Sequence, residues 1–565
     1  MTTLPSDLPV VVDRTGQVPL AVQISAQLQR AVVGGVLRAG DRLPSSRDLA
    51  ATLGVSRTVV TNAYARLFAE GWLEGRHGSG TYVADVTPPP ALPSPGLGAA
   101  RHSRPIAGMA SIEAPDRANE PSQRPAVPRG RGSVAADVQS DPERIRVSSS
   151  RPPRPGRPAD AAAAFADSIA RSDAMEAAEG ANEPERRAAA LPIARRPGLI
   201  DLQPGISWAE GIEPAAWRRA WRQAGAHLPS RWPDSHGLPE LREAIAAYLR
   251  RSRGLAVTPA QVLITQGVSN GLTLLADALL DPGDQVGMEE PGFATGREVL
   301  RRSGARVVPC RVDAHGILPE ELPGDLRLLY TTPAHQYPLG GRLPVSRRQA
   351  LVAWARATGA LVVEDDYDSE FRYDVGTLPA LLSMDPEVIV YLGTASKVLA
   401  TAFGAGWLVA PPALVDRLAA LRPRLGARIP EPVQHAVLAL LRSGDLERHV
   451  RRMRLEYARR RAVLVNGLTH ADQGAGVAGR GRARVPFRLL GDTAGMHVVL
   501  ELPRDYPAAR LVDAAAARGV AIYPLDNYFV GPPTISGVIL GYGTATLPQI
   551  RRAAAELGQL LISGL

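Results

Sequence analysis

Residues 86–196 constrain the architecture before any motif is read. They are dense in Pro, Arg, Ala, Ser and Gly, as in Pro88-Pro89-Pro90 and Arg151-Pro152-Pro153-Arg154-Pro155-Gly156-Arg157-Pro158. Such a segment has too little apolar surface to offset the entropy its backbone would lose on folding. It reads as a tether, with at most a transient helix over Ala159–Ala178. The chain of 565 residues is therefore expected to fold as separate pieces, residues 1–85 and residues 197–565.

Composition narrows what those pieces do. No apolar run approaches the ~18 residues needed to cross a bilayer. Met1–Arg14 carries Asp7 and Asp13 and lacks the basic-then-apolar order of a secretion signal. The single cysteine, Cys310, permits no intrachain disulfide. The expectation is a cytoplasmic protein with no membrane partner and no metal site. The net charge is +9, but it is spread along the chain. Residues 1–85 hold 8 Arg against 7 acids, so DNA binding must rest on a motif and not on bulk charge. One count does stand out: of 65 Lys+Arg residues, only Lys397 is lysine. Arginine stays protonated, whereas a lysine amine can be desolvated and act as a nucleophile.

In the N-terminal piece, Leu20–Leu37 reads as an amphipathic helix ending at Gly34-Gly35. Ser45 or Ser46 can cap a second helix that Gly54 ends. Ser56 can cap a third, Arg57–Glu70, that Gly71 ends. Val60, Ala63, Tyr64 and Leu67 fall on one face as its buried side. The short Gly-containing turn makes this a helix-turn-helix. The last helix opens Arg57-Thr58-Val59-Val60-Thr61-Asn62, a guanidinium, hydroxyls and an amide suited to base edges. Gly71–Leu73 and Thr81–Val83 read as strands, with Arg76–Gly80 as the turn between them.

From about Pro197, helix-length segments alternate with β-rich runs: Gln261–Thr265, Gln285–Glu289, Arg306–Cys310, Leu326–Thr331, Leu361–Glu364, Val388–Leu392 and Trp407–Ala410. That order predicts a mainly parallel sheet covered by helices. His497–Leu502, Val520–Pro524 and Ile535–Tyr542 predict a small α+β subdomain at the end. Lys397 follows one strand in Tyr391-Leu392-Gly393-Thr394-Ala395-Ser396-Lys397, with Thr394 and Ser396 close by. Asp365 and Tyr367 follow another, two residues apart and so on one face. Thr265-Gln266-Gly267-Val268-Ser269 leads from a strand into a helix. Its backbone amides and Ser269 can cradle a phosphate. Phe293 and Tyr337 sit in loops after further strands. This set meets the needs of pyridoxal 5'-phosphate: an amine for its aldehyde (Lys397), a carboxylate for its ring nitrogen (Asp365) and a hydroxyl for its ring oxygen (Tyr367). Phe293 and Tyr337 are placed at the ring, and Val268, Ser269 and Thr394 at the phosphate. Asp366 points away and is expected to be structural.

Two strings resemble the winged-helix domain of the GntR family: Gly40-Asp41-Arg42-Leu43-Pro44-Ser45-Ser46-Arg47 and Gly78-Ser79-Gly80-Thr81-Tyr82-Val83. The resemblance implies double-stranded operator DNA as partner, with Arg47, Arg57, Thr58, His77 and Gly78 as contacts. Pro333-Ala334-His335-Gln336-Tyr337-Pro338 and Glu364-Asp365-Asp366-Tyr367-Asp368-Ser369-Glu370-Phe371-Arg372-Tyr373 resemble the fold-type I aminotransferase domain of MocR regulators. That resemblance implies a homodimer with cofactor sites near the subunit interface. The expected chain is thus multidomain: an α+β winged helix (1–85), a tether (86–196) and an α/β aminotransferase-like domain with its small α+β subdomain (197–565).

The departures from that pattern shape the function. Relatives carry an arginine seven residues after the lysine for the phosphate, where this chain has Gly404. Relatives that process amino acids keep an arginine near the C-terminus for the substrate carboxylate, where this chain has Ile539. A tyrosine before the loop Pro233–Gly237 is Trp232 here. Arg297, Arg342 and Arg372 are candidates to replace the arginine missing at 404. The expected function is a transcription regulator that senses pyridoxal phosphate or a small amine reacting with it, with vitamin B6 metabolism as target and residual half-reactions at most. The alternatives are a working aminotransferase with an appended DNA-binding domain and a regulator whose large domain has lost the cofactor.

Overall fold

The structure, a computed structural model, describes residues 10–14, 19–33, 36–69, 72–76, 80–84, 198–373, 379–427, 429–474, 485–491 and 494–563. The tether expected over 86–196, and His77 and Gly78, lie outside the described residues.

The first domain has helices α1 (Leu20–Val33), α2 (Ser46–Leu53) and α3 (Arg57–Ala69), with strands β1 (Arg42–Leu43), β2 (Leu73–Arg76) and β3 (Gly80–Val83). Ser45 caps α2 by accepting the amide of Asp48 at 3.2 Å. Gly54 ends it at φ 62, a conformation that strains other residues. Val60, Ala63, Tyr64 and Leu67 of α3 are buried against Ile24 and Leu28 of α1, as their spacing predicts. The three strands pair antiparallel in the order β1-β3-β2, a wing closing on the helices. Of the strand expected over 71–73, Trp72 precedes β2, which starts at Leu73, and Gly71 lies outside the described residues; β1 was not expected, because two residues carry no periodicity.

The second domain opens with β4 (Ile200–Asp201) and continues with β5 (Val262–Thr265), β6 (Gln285–Glu290), β7 (Arg306–Asp313), β8 (Gly316–Ile317), β9 (Leu328–Thr331), β10 (Leu361–Asp366), β11 (Ile389–Thr394) and β12 (Gly406–Val409). Strands β5 to β12 form one sheet in the order β5-β12-β11-β10-β9-β6-β7-β8. The central pairs are parallel, while β12 runs antiparallel to both its neighbours. Strands β5, β9, β11 and β12 are buried on both faces, so they read as mostly apolar runs. Successive residues go to opposite cores: Val362 packs with Trp354 and Tyr391 on one face, Leu361 and Val363 with Leu272 and Met288 on the other.

The C-terminal subdomain contains β13 (Arg488–Leu490), β14 (His497–Leu502), β15 (Val520–Ala521), β16 (Tyr523–Pro524) and β17 (Ser536–Gly541). Four of these pair as β13-β14-β17-β16. The run expected as one strand over 520–524 is two, because β15 leaves to pair parallel with β4. That unexpected pairing ties the start of the second domain to its end, and it delivers residues 203–206 to the cavity described next. Among the described residues, no helix is long and apolar enough to cross a membrane.

Candidate cofactor cavity and DNA-facing surface

The parallel strands of the large sheet share a C-terminal edge, where open α/β sheets take their ligands. A cavity of about 390 Å³ lies there. All eight residues assigned to a cofactor from the sequence line it: Val268, Ser269, Phe293, Tyr337, Asp365, Tyr367, Thr394 and Lys397.

Lys397 follows β11, and its Nζ donates to the carbonyl of Gly205. Gly205 has φ +75, and a Cβ there would stand 3.1 Å from Nζ, so the approach needs glycine. Burial lowers the pKa of Lys397, which favours the neutral amine, while Asp365 and Asp368 pull the other way. Asp365 is buried, and burial pushes its carboxyl up to about 7 against the opposing hydrogen bond from Tyr330. The Tyr330 hydroxyl donates to Oδ2. Oδ1 is buried with no hydrogen-bond partner, which leaves one acceptor aimed at a donor the protein does not supply. The first amides of the helix Val268–Leu279 have no carbonyl of their own helix to bond and open at the cavity beside Ser269.

The Tyr367 hydroxyl, assigned to a ring oxygen, lies 2.9 Å from Nδ1 of His335. The same nitrogen lies 3.0 Å from the Asp368 carboxylate. A carboxylate only accepts, so the Nδ1 proton faces Asp368 and the Tyr367 oxygen. The tyrosine keeps its own proton for another acceptor. The Tyr337 hydroxyl donates to that of Tyr528 at 3.2 Å. Asp366 points away, as expected: its carboxylate takes Nε of buried Arg253 at 2.7 Å and the hydroxyl of Tyr391 at 2.7 Å.

Among the described residues, no arginine lines the cavity. The three candidates offered as replacements at 404 are engaged elsewhere, which corrects that expectation. Arg297 reaches the Tyr528 carbonyl and Glu290, Arg372 the Ala334 carbonyl, and Arg342 a crevice against the first domain. Gly404 itself is left-handed at φ +58, with open space where a side chain would begin. Ile539 is fully buried on β17 in an apolar cluster with Leu525, Tyr528 and Phe529. Residues that the sequence did not point to also line the cavity: Gly205, Tyr330, Thr401 and Tyr528. Tyr330 was the findable one, since it sits near the C-terminal end of a central parallel strand beside Asp365.

In the first domain, Arg47, Arg57 and Thr58 are exposed, Arg47 in the first turn of α2 and Arg57 and Thr58 in the first turn of α3. Arg57 Nε is propped by the hydroxyl of Ser46 at 3.3 Å.

Comparison with known proteins agrees with both domains. Residues 20–83 match the family of bacterial regulatory proteins, gntR family, and residues 207–528 match aminotransferase class I and II. An HTH-type pyridoxine biosynthesis transcriptional regulator, PdxR, of Corynebacterium glutamicum is 31% identical, over 99% of this chain and 100% of its own. A probable rhizopine catabolism regulatory protein, MocR, of Rhizobium meliloti is 31% identical over 94% and 92%. An archaeal alanine:glyoxylate aminotransferase superposes with a TM-score of 0.59 at 25% identity, over 67% of this chain and 94% of that one.

Proposed function

Because the chain belongs to the MocR-type regulators, a GntR-type winged helix joined to a class I and II aminotransferase domain, we propose that it binds operator DNA and senses pyridoxal phosphate, or a small amine that reacts with it, in the cavity around Lys397. The observation that carries this is the unpaired, buried Oδ1 of Asp365 in the same cavity as the chain's only lysine. A pyridine nitrogen carrying a proton is the donor that atom lacks. When bound, pyridoxal phosphate supplies an aldehyde for the Lys397 amine and a ring that withdraws electrons.

The chain's own residues divide the work. Burial lowers the pKa of the Lys397 amine, which favours its nucleophilic form. Tyr330 holds Asp365 in place by its other oxygen. Phe293 offers a flat apolar wall, Tyr367 offers its hydroxyl to the ring oxygen, and Tyr337, whose own proton goes to Tyr528, stands beside the ring. Val268, Ser269 and Thr394 receive the phosphate. Arg47, Arg57, Thr58, His77 and Gly78 contact DNA. Two copies act together in the cytoplasm as a homodimer. The name of the Corynebacterium relative supports vitamin B6 synthesis as the regulated process.

Turnover of amino acids is disfavoured by the same cavity. A transaminase holds the substrate carboxylate so that the reacting bond stands across the ring, and misplacement costs ~100-fold in rate. Ile539 is core, and no described arginine lines the wall. One preparation tests both halves of this reading. Operator affinity is measured with and without pyridoxal phosphate, and the cofactor's visible absorption is followed against a panel of amino acids and amines. Affinity should change with cofactor, and common amino acids should give slow half-reactions at most. Rapid turnover of an ordinary amino acid would overturn the sensing role.

A further inference from the structure

Tyr367 stands just beyond β10, and its hydroxyl is backed by a buried pair of polar side chains. Nδ1 of His335 lies 2.9 Å from the Tyr367 oxygen and 3.0 Å from the Asp368 carboxylate. His335 and Asp368 are both buried. An unprotonated Nδ1 would set its lone pair against a carboxylate that only accepts, so Asp368 claims the Nδ1 proton. Burial first, and then the charge of Asp368, hold the Tyr367 phenol well above its ordinary pKa, and it stays protonated. Tyr337, Asp365 and Glu289 push in the same direction.

The C-terminal subdomain boxes this pair in. Gly495 has φ +76, and a Cβ there would collide with Cε1 of His335 and stand 2.8 Å from the Asp368 carboxylate. The Gly495 amide donates to the Phe371 carbonyl at 2.8 Å, and its carbonyl accepts the Tyr542 hydroxyl at 2.6 Å. That backbone is therefore pinned over the pair, and the imidazole has no room to swing. His497 of β14 lies beside His335, with ring centroids 5.4 Å apart. Its Nε2 donates to the Pro338 carbonyl at 2.9 Å, which fixes the loop that carries His335. Burial lowers the pKa of His497 to about 4, so that ring stays neutral and leaves Asp368 to His335.

We propose that His335 and Asp368 are positioning residues that fix Tyr367 as a hydrogen-bond donor to the ligand. Asp368 holds the Nδ1 proton in place, the Nδ1–H occupies the Tyr367 oxygen from behind, and the phenolic proton is left to point into the cavity. Neither residue lines the cavity, so both act through Tyr367. Without the pair, rotation about one C–O bond is enough to take the proton out of the cavity. With it, the direction is set before the ligand arrives. A donor fixed in this way suits an oxyanion on the ligand ring and disfavours a ligand that presents no acceptor at that point. The ring of pyridoxal phosphate carries such an oxygen, and the proposal rests on the cofactor reading above.

The test uses the full-length protein and spectroscopic readouts. A hydrogen bond donated to an ionised oxygen favours that form over the protonated one. Its loss should raise the pH at which the visible band formed with pyridoxal phosphate titrates. Tyr367→Phe should raise this midpoint by about one unit, roughly a tenfold gain in proton affinity. His335→Phe should raise it by about half a unit or more, while His335→Asn, whose amide replaces the Nδ1–H, should stay within about 0.3 units of the parent. Tyr367→Phe combined with His335→Phe should match Tyr367→Phe alone, because the pair acts only through that hydroxyl. A His335→Phe midpoint equal to the parent's, or shifts that simply add in the double variant, would overturn the proposal. The cofactor-free protein gives a second reading. With isotope-labelled histidine, the His335 Nδ1–H should give a far-downfield proton resonance that Asp368→Asn moves upfield and Tyr367→Phe retains. Its absence from the folded parent overturns the proposal even where His335→Phe fails to fold. If the parent forms no visible band, the cofactor reading falls and takes the donor role with it. A normal band that ignores His335→Phe leaves the cofactor reading standing and sinks only the positioning role.

Discussion

The two functional surfaces of this chain use charge in opposite ways. In the winged helix, Arg47 and Arg57, the proposed DNA contacts, stand exposed in solvent. In the cavity, Asp365 and Lys397 are moved out of water and changed by it: burial raises one pKa and lowers the other. A surface of the first kind should fail by degrees when mutated. A site of the second kind should fail outright, and should respond to pH.

The sharpest break in that contrast is expected at Lys397. Lys397→Ala and Lys397→Arg should both abolish the visible band that forms with pyridoxal phosphate, since guanidinium cannot take the amine's place. Operator affinity measured without cofactor should stay as in the parent. A band that persists in either variant would end the assignment of this lysine.

Next in size is the pH dependence of Asp365. A buried carboxyl whose pKa is raised from near 4 to about 7 binds its proton more tightly folded than unfolded. Its contribution to stability is then fully present below pH 4 and is lost as pH rises through 7. The range corresponds to about 2–4 kcal/mol. Glu364, raised to about 7 by burial and by Asp366, adds a slope of the same sign. Asp365→Asn should therefore flatten, without abolishing, the loss of stability between pH 5 and pH 8 in urea unfolding of the cofactor-free protein. A slope equal to the parent's would show that this carboxyl is ordinary.

The same contrast explains what the sequence made legible. The winged helix is a local motif: Ser45, Gly54 and the Val60–Leu67 spacing act within a few residues, so its helices and their buried face could be read directly. The candidate cofactor residues could be grouped from the sequence because each lies at or just beyond the end of a strand at one edge, and all eight line a single cavity. Long-range pairing was not readable. The two-residue strand β4 meets β15 more than 300 residues later, and nothing local announces that Gly205 will face Lys397. Tyr330 looked like one more apolar strand residue until its neighbour across β10 was known. The arginines proposed for position 404 failed for a related reason: a sequence shows which cations exist and not which carbonyls and carboxylates already hold them.

On the DNA side, effects should be graded. Arg57→Ala should cost roughly 1–3 kcal/mol on the preferred operator and relax discrimination there, if the guanidinium reads a guanine. Arg47→Ala should weaken all sequences alike and reduce the slope of log affinity against log salt by about 0.9, the signature of one lost phosphate contact. If both variants bind like the parent, the exposed face of α2 and α3 is not the contact surface.

The smallest effect concerns how that face is held. The Ser45 hydroxyl caps α2 through the Asp48 amide and also donates to the Asp48 carboxylate at 2.7 Å, which closes the first turn of an eight-residue helix. So short a helix has little propensity of its own and depends on its caps and on burial of Leu49 and Ala50. Ser45→Ala leaves an orphan amide at the helix start and should cost about 1 kcal/mol locally. The loss should appear as roughly fivefold faster amide exchange in α2, with the cofactor band unchanged. Arg47 lies on that first turn, so operator affinity should fall slightly and for every sequence. Ser45→Asp retains an acceptor at the cap and should restore most of the protection. Exchange in α2 that ignores both substitutions would mean that packing on Leu49 and Ala50, and not the cap, holds the helix that presents Arg47.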